Sequence, residues 1–183
     1  MDIGNRARSE AEGRPREGCE RWRRRATLRA ILACAIAVPF VVSSLQAAHR
    51  FELPPARDLA ADAASSARSQ TPILLFFDRA DCPYCERALR EYLVPMSRDE
   101  ASQFKALYRQ VEVDRPLPLV DFEGRATTHG ALAARYGVTL TPTILMVDAA
   151  GMPLGEPLVG LSPEFYAAYL ENLIESASNR LRR

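Results

Sequence analysis

The chain has 183 residues, of which 48% are hydrophobic and 26% charged, enough for one globular domain with little room for a second. The composition excludes a collagenous, wholly disordered or polytopic membrane protein, and a net charge of +1 gives no global electrostatic pull toward nucleic acid. That near-neutral sum averages two unlike parts: residues 1–47 hold nine arginines and five acids, leaving 15 basic and 18 acidic groups in the remainder.

The first 20 residues, rich in Arg, Glu and Gly, lack apolar periodicity and read as disordered. Arg21, Arg23, Arg24, Arg25 and Arg29 then precede an uncharged run, Ala30 to Ala48, with an apolar centre at Ile31 to Val42. A basic stretch before 7 to 15 apolar residues is the layout of a secretory signal. The small residues at its end favour cleavage after Ala47, so the expected organisation is an N-terminal extension and signal over 1–47 and one folded domain over 48–183. An uncleaved anchor over 30–48 is the competing expectation, since a span needs about 20 apolar residues; Pro39, Ser43, Ser44 and Gln46 weigh against it. Arg24-Arg25 resembles a twin-arginine signal without its aromatic residue. Leu32-Ala33-Cys34 resembles a lipoprotein box set too close to Arg29.

After a lead-in containing Pro54-Pro55, the Ala-rich stretch Asp58 to Arg68 predicts a short helix capped by Asp58. Ile73 to Phe77 is a continuous apolar run ending at Asp78, the pattern of a strand buried on both faces. A helix follows from Tyr84, with Leu89, Tyr92, Leu93 and Met96 on one face and Pro95 as its kink or end. Tyr108 to Asp114 predicts a second strand with Val111 and Val113 inward. The Pro-containing stretch Asp114 to Thr128 reads as a long loop, either a surface insertion or a lid near the active site. His129 to Tyr136 predicts a helix closed by Gly137. Thr143 to Val147 and Pro157 to Gly160 predict a hairpin, and Ser162-Pro163-Glu164 starts a last helix with Phe165, Tyr169, Leu170, Leu173 and Ile174 on its apolar stripe. The order gives an α/β fold, a central mixed β-sheet flanked by helices.

With Cys19 and Cys34 assigned to the signal, the remaining thiols are Cys82 and Cys85, in Asp81-Cys82-Pro83-Tyr84-Cys85, between a buried strand and the first turn of a helix. Free amides and the helix dipole stabilise an anion there, so Cys82 is expected to be the nucleophilic thiolate. Cys85, one turn deeper, can close a disulfide with it and release a bound partner. Pro83 presets the first-turn dihedral. Asp81 opposes the thiolate, while Arg79 and Arg87 favour it. Half of a zinc site is an alternative, for which His49 and His129 are the only other ligands available; a purely structural disulfide is another, though a four-residue loop restrains little chain entropy. Pro142, in Thr141-Pro142-Thr143 before a strand, is a candidate for a cis peptide.

Cys82-Pro83-Tyr84-Cys85 behind Leu74-Leu75-Phe76-Phe77-Asp78, with Tyr136 to Thr143 and Asp148 to Gly151 downstream, resembles the thioredoxin superfamily over about residues 58 to 178. It is most similar to exported bacterial thioredoxin-like and thiol:disulfide interchange proteins, including those of sulfur-oxidation systems. The resemblance implies a thioredoxin-like fold, with Cys82 attacking and Cys85 resolving. It also implies a cis-Pro142 whose neighbour Thr141 offers its backbone to an extended substrate; Pro83 and Tyr84 complete the substrate surface. Three departures stand out. Asp81 replaces the usual Trp before the first Cys, the Pro-Tyr pair is familiar from glutaredoxins, and the position six before the nucleophile, often a buried carboxylate, is Phe76, with Asp78 nearer the strand end.

The expected function is a periplasmic thiol:disulfide oxidoreductase that reduces or exchanges disulfides in exported proteins. It would work through its own Cys82–Cys85 disulfide with no organic cofactor or metal. Its partners would be proteins bearing thiols or disulfides and a membrane or periplasmic electron donor, with no nucleic acid, and with membrane contact only if residues 30–48 stay uncleaved. The alternative is a non-catalytic protein whose dithiol binds copper or an iron–sulfur cluster.

Overall fold

The structure, a computed structural model, describes residues 52–183. The expected cleavage point, Cys19, Cys34 and His49 lie outside the described residues, and no helix within those residues is long and apolar enough to cross a membrane.

Helix α1 (Leu59–Ser69) starts where the sequence predicts, because the Asp58 carboxylate accepts the Ala61 N–H at 2.8 Å. Strand β1 (Ile73–Asp78) is buried at all six positions. It pairs in parallel with β2 (Leu107–Glu112) and antiparallel with β5 (Thr143–Val147), which pairs antiparallel with β6 (Leu158–Val159), for an order β2-β1-β5-β6. Between β1 and β2 runs a helical segment in three parts: α2 (Pro83–Ala88), a wide π turn (Leu89–Leu93) and α3 (Val94–Arg98). Pro95 brings no N–H to the ladder, and the turn before it widens so that Val94 N–H reaches Leu89 O. Helix α4 (His129–Arg135) precedes β5, and α5 (Tyr166–Leu181) closes the chain.

The alternation of the central strands builds two cores. Leu74 and Phe76 of β1, with Ile144 and Met146 of β5, face Cys85, Ala88, Leu89, Leu93, Tyr166, Leu170 and Ile174 from the α2–α3 segment and α5. Ile73, Leu75 and Phe77, with Leu145 and Val147, face Leu59, Leu132 and Ala133 from α1 and α4. A continuous apolar run at β1 is thus required by helices on both faces, and each fully buried Phe or Leu contributes about 1.5–3 kcal/mol.

Two sequence expectations need correction. The long loop contains a two-stranded hairpin, β3 (Pro118–Val120) with β4 (Ala126–Thr128), whose turn is held by the buried Asp121 carboxylate accepting the N–H groups of Glu123 and Arg125. Three-residue strands carry too little alternation to be legible. Helix α5 begins at Tyr166 instead of Ser162, because residues 163–165 form a turn and Phe165, at φ −129° and ψ 1°, is off the helical path. Its buried stripe is accordingly Tyr166, Leu170, Ile174 and Ala177, leaving Phe165 and Tyr169 exposed. The lead-in also joins the sheet. Ala56 N–H donates to Gln110 O and Gln110 N–H to Pro54 O, both at 2.9 Å, which lays residues 53–56 along the outer edge of β2.

Candidate active site

Cys82 caps α2: its extended backbone (φ −106°, ψ 97°) turns the sulfur back over the helix, where Sγ accepts the Cys85 N–H at 3.1 Å. Pro83 occupies the first helical position, where a missing N–H costs nothing. Sγ atoms of Cys82 and Cys85 are joined in a disulfide across a Cα separation of 5.2 Å. The two cysteines differ in access: Cys82 is partly exposed, whereas Cys85 is 2% exposed and packs in the α5-side core. That asymmetry gives them different chemistry. Only Cys82 can be approached by a large partner, and an anion on its sulfur would lie at the N-terminal amides of the helix.

The approach to Cys82 is shaped by two loops. Asp81 holds a left-handed conformation (φ +54°), which Asp tolerates better than most residues, and Ala80 N–H donates to the Asp114 carboxylate at 3.0 Å, tying this loop to the end of β2. Opposite, the Thr141–Pro142 peptide is cis. Thr141 O lies 3.9 Å and Thr141 Oγ1 3.8 Å from Cys82 Sγ, so the two segments, 59 residues apart in sequence, meet at the sulfur. Thr143 Oγ1 donates to Leu140 O at 2.8 Å, and Gly160 N–H to Pro142 O at 2.8 Å, which anchors this loop to β5 and β6. Tyr84, between the two cysteines in sequence, and Leu140, just before Thr141, stand more than 60% exposed, and beside Leu140 a cleft of about 380 Å³ opens between Gly137–Leu140 and Pro153–Val159.

The charges fall differently from the simple sequence expectation. Arg87 is paired with Glu91 at 2.8 Å, so its guanidinium is committed to its own helix. The carboxylate that sequence spacing gave no place to, Asp78, is 6% exposed at the end of β1. Alternation puts it on the Leu74 and Phe76 face, the face that packs Cys85. Its Oδ2 accepts from Gln110 Nε2 at 2.7 Å, while Oδ1 is buried without a hydrogen-bond partner. Burial, reinforced by the nearby Glu112 and Asp114, raises its pKa from 3.8 to about 7, against the lowering effect of the Gln110 bond. Two signals pointed here: an acid ending an all-apolar run, and Gln110 sharing the parity of Tyr108 on β2, both inward on that face.

His129, one of the alternative zinc ligands, is 1% exposed with both ring nitrogens engaged: Nδ1 accepts the Glu112 N–H at 3.0 Å and Nε2 faces Ala56 O at 2.8 Å. It pins α4 and the lead-in to β2 and does not converge with the cysteines. Among the described residues no group of three or more His, Cys, Asp or Glu is arranged to hold a metal.

Residues 59–174 match the family model described as a thioredoxin-like domain. The sequence matches no curated protein. Among solved structures the chain is similar to DsbH oxidoreductase, at 22% identity over 69% of this chain and 85% of that one, with a TM-score of 0.49. It is also similar to the periplasmic thioredoxin SoxS from Paracoccus pantotrophus in its reduced form, at 23% identity over 58% of this chain and 98% of that one, TM-score 0.41. A poplar thioredoxin h mutant is 14% identical over 72% of this chain and 88% of that one, TM-score 0.50. At these identities the likeness is one of fold.

Proposed function

The chain belongs to the thioredoxin-like domain family, and we propose that it is a thiol:disulfide oxidoreductase acting on disulfides of exported proteins. The observation that carries the proposal is the pairing of a partly exposed Cys82 with a buried Cys85 in one disulfide at a helix start, with Thr141 O 3.9 Å from the outer sulfur.

In the reducing direction the Cys82 thiolate attacks one sulfur of a substrate disulfide, the other substrate sulfur leaves as a thiolate, and a mixed disulfide forms. Cys85 then gives its proton to Asp78, the buried acid on the same face, and its thiolate attacks Cys82 Sγ. The bond from Cys82 to the substrate breaks, and the second substrate sulfur leaves with the bonding electrons. Two electrons have moved to the substrate, and the Cys82–Cys85 disulfide is the product. A two-electron thiol donor must reset it. The extended substrate would pair with the Thr141 backbone, with Tyr84 and Leu140 lining its path.

Single-turnover insulin reduction tests this. Cys82→Ser should fall to the uncatalysed rate, and Cys85→Ser should accumulate a covalent mixed disulfide visible as an added mass. Wild-type protein no faster than Cys82→Ser overturns the enzyme, and a stoichiometric copper or iron–sulfur load in anaerobically purified protein would replace it with metal binding. Export rests on the Arg-rich stretch and apolar run before Ala48. A mature N-terminus at Ala48 in a periplasmic fraction is the expected result, and an intact N-terminus in the membrane fraction would mean an anchor.

A further inference from the structure

Gln110 is 7% exposed and sits where three segments meet. Its side-chain Oε1 accepts the N–H of Leu53 at 3.0 Å, and its Nε2 donates to Asp78 at 2.7 Å. Its own N–H and C=O are both bonded to the lead-in, at Pro54 and Ala56. Leu53 is 3% exposed and packs in the same core as Cys85, Phe76 and Tyr108. Leu53, Gln110, Asp78 and Cys85 therefore occupy one face of the sheet.

A carboxamide can present either end to a neighbour, since oxygen and nitrogen are nearly isosteric. Toward a protonated acid the oxygen end would accept, and toward a carboxylate the nitrogen end donates. Here the choice is made from the far side: a backbone N–H can only donate, so Leu53 takes the oxygen and the nitrogen must face Asp78. We propose that the lead-in, residues 53–56, is a working part of the redox site, its Leu53 N–H locking Gln110 as a donor to Asp78 and making Gln110 a positioning residue for the proton that leaves Cys85. This rests on the proton transfer from Cys85 to Asp78 set out above.

The consequence is a bias toward the carboxylate, the form that accepts a proton. The other charged groups around Asp78 oppose that form: Glu112 on β2 and Asp114 beyond it both raise its proton affinity. Arg115 is drawn to Glu112 at 2.9 Å, and His129 spends Nδ1 on the Glu112 N–H. Glu52, just before the lead-in, acts on Arg115, whose proton affinity it raises. With the lock released, the amide can turn and accept from a protonated Asp78, which holds the acid neutral to higher pH.

The test uses full-length protein, reduced and reacted with a chromogenic aromatic disulfide. The first thionitrobenzoate is released as Cys82 forms the mixed disulfide, and the second as Cys85 displaces it, so the second phase reports the Cys85 step. Its pH dependence in wild type should show a midpoint near Asp78's. Gln110→Met removes the side-chain donor to the carboxylate, and Leu53→Pro removes the backbone N–H; each should move the midpoint up, on the order of one pH unit. Leu53→Ala loses the same packing as Leu53→Pro but keeps the N–H, and should leave the midpoint in place. A midpoint unmoved or lowered in Gln110→Met or Leu53→Pro overturns the lock, as does an equal rise in Leu53→Ala. Asp78→Asn separates the two ideas: a pH dependence that survives it refutes Asp78 as the proton acceptor, whereas loss of the dependence with no shift in the other variants refutes only the role of the lead-in.

Discussion

Replacing Asp78 with Asn should change how the oxidised protein's stability depends on pH, by an amount and with a sign that follow from its position. In the folded state the carboxyl holds its proton up to about pH 7, against 3.8 when solvated. The native state thus binds the proton more tightly than the unfolded chain. The stabilisation is complete below about pH 4 and is lost as pH rises toward 7 and beyond. At 1.36 kcal/mol for each pH unit, the difference amounts to about 4 kcal/mol in all, of which about 2.5 kcal/mol is lost between about pH 5 and pH 8. Asparagine cannot ionise, so it carries no such slope. Its amide can accept from Gln110 but leaves its other end where Asp78 Oδ1 already lacks a partner, a cost independent of pH. Urea unfolding of wild type and Asp78→Asn at matched pH gives the difference in stability, which cancels the titration of the carboxylates not coupled to Asp78. That difference should shift in favour of the variant by about 2–3 kcal/mol across the range. A difference that stays flat between pH 5 and 8, or that moves toward the wild type, would refute the claim that Asp78 is buried as an acid.

Three further substitutions probe the scaffold that carries the site. Tyr166 packs against Tyr92 at 5.0 Å with its hydroxyl buried and unpartnered, so Tyr166→Phe should be neutral or stabilise by up to about 1 kcal/mol in thermal unfolding, with the dithiol chemistry unchanged. Gly151, at φ +76°, closes the turn after β5, and a Cβ there would fall 2.6 Å from Phe122 and 3.0 Å from Tyr136 Oη; Gly151→Ala should cost about 1–3 kcal/mol, read as a lowered urea midpoint. Arg109 joins β2 to α1 through two bonds to the buried Asp62, and Arg109→Met, by stranding that carboxylate, should destabilise by about 3 kcal/mol while Asp62→Asn in the same background recovers part of the loss.

The sequence is most legible where one pattern admits one structure. An unbroken Ile73–Phe77 run fits a strand covered on both faces, and Asp58 before an Ala-rich stretch fits a helix start. Cys82 followed by Pro83 is likewise readable, because a capping sulfur and a first-turn proline are local geometry. What escaped was long-range or too short to have a period. The β3–β4 hairpin has only three residues in each strand and is organised by Asp121, whose bonds to the turn look in sequence like any acid in a polar loop. Ser162-Pro163 is a sound local cap, yet α5 starts at Tyr166, and the choice of Tyr166 over Phe165 for the core is made by Tyr92 across the interface. Gln110 is legible only through its shared parity with Tyr108, for a related reason. Reading β2 with Val111 inward assumes one buried face, whereas a strand flanked by two helical layers buries the alternate positions as well.

The same two-sided burial explains why the acid of this site stands where it does. Cys85 is enclosed by α5 and by the Leu74–Phe76 face of β1, so its proton has no direct exit to water, whereas the proton of Cys82 does. A group able to take the inner proton must lie on that same face, and along β1 the positions of that parity are Leu74, Phe76 and Asp78. A carboxylate at Phe76 would sit deep among apolar neighbours at the strand's centre; at Asp78 it reaches the strand end, where Gln110 can meet it from β2 and the lead-in can reach Gln110 from the sheet's edge. The displacement of the acid by two residues along the strand keeps its face and changes its partners. The proton affinity of the inner half of the site is thereby placed under the control of the lead-in, residues 53–56.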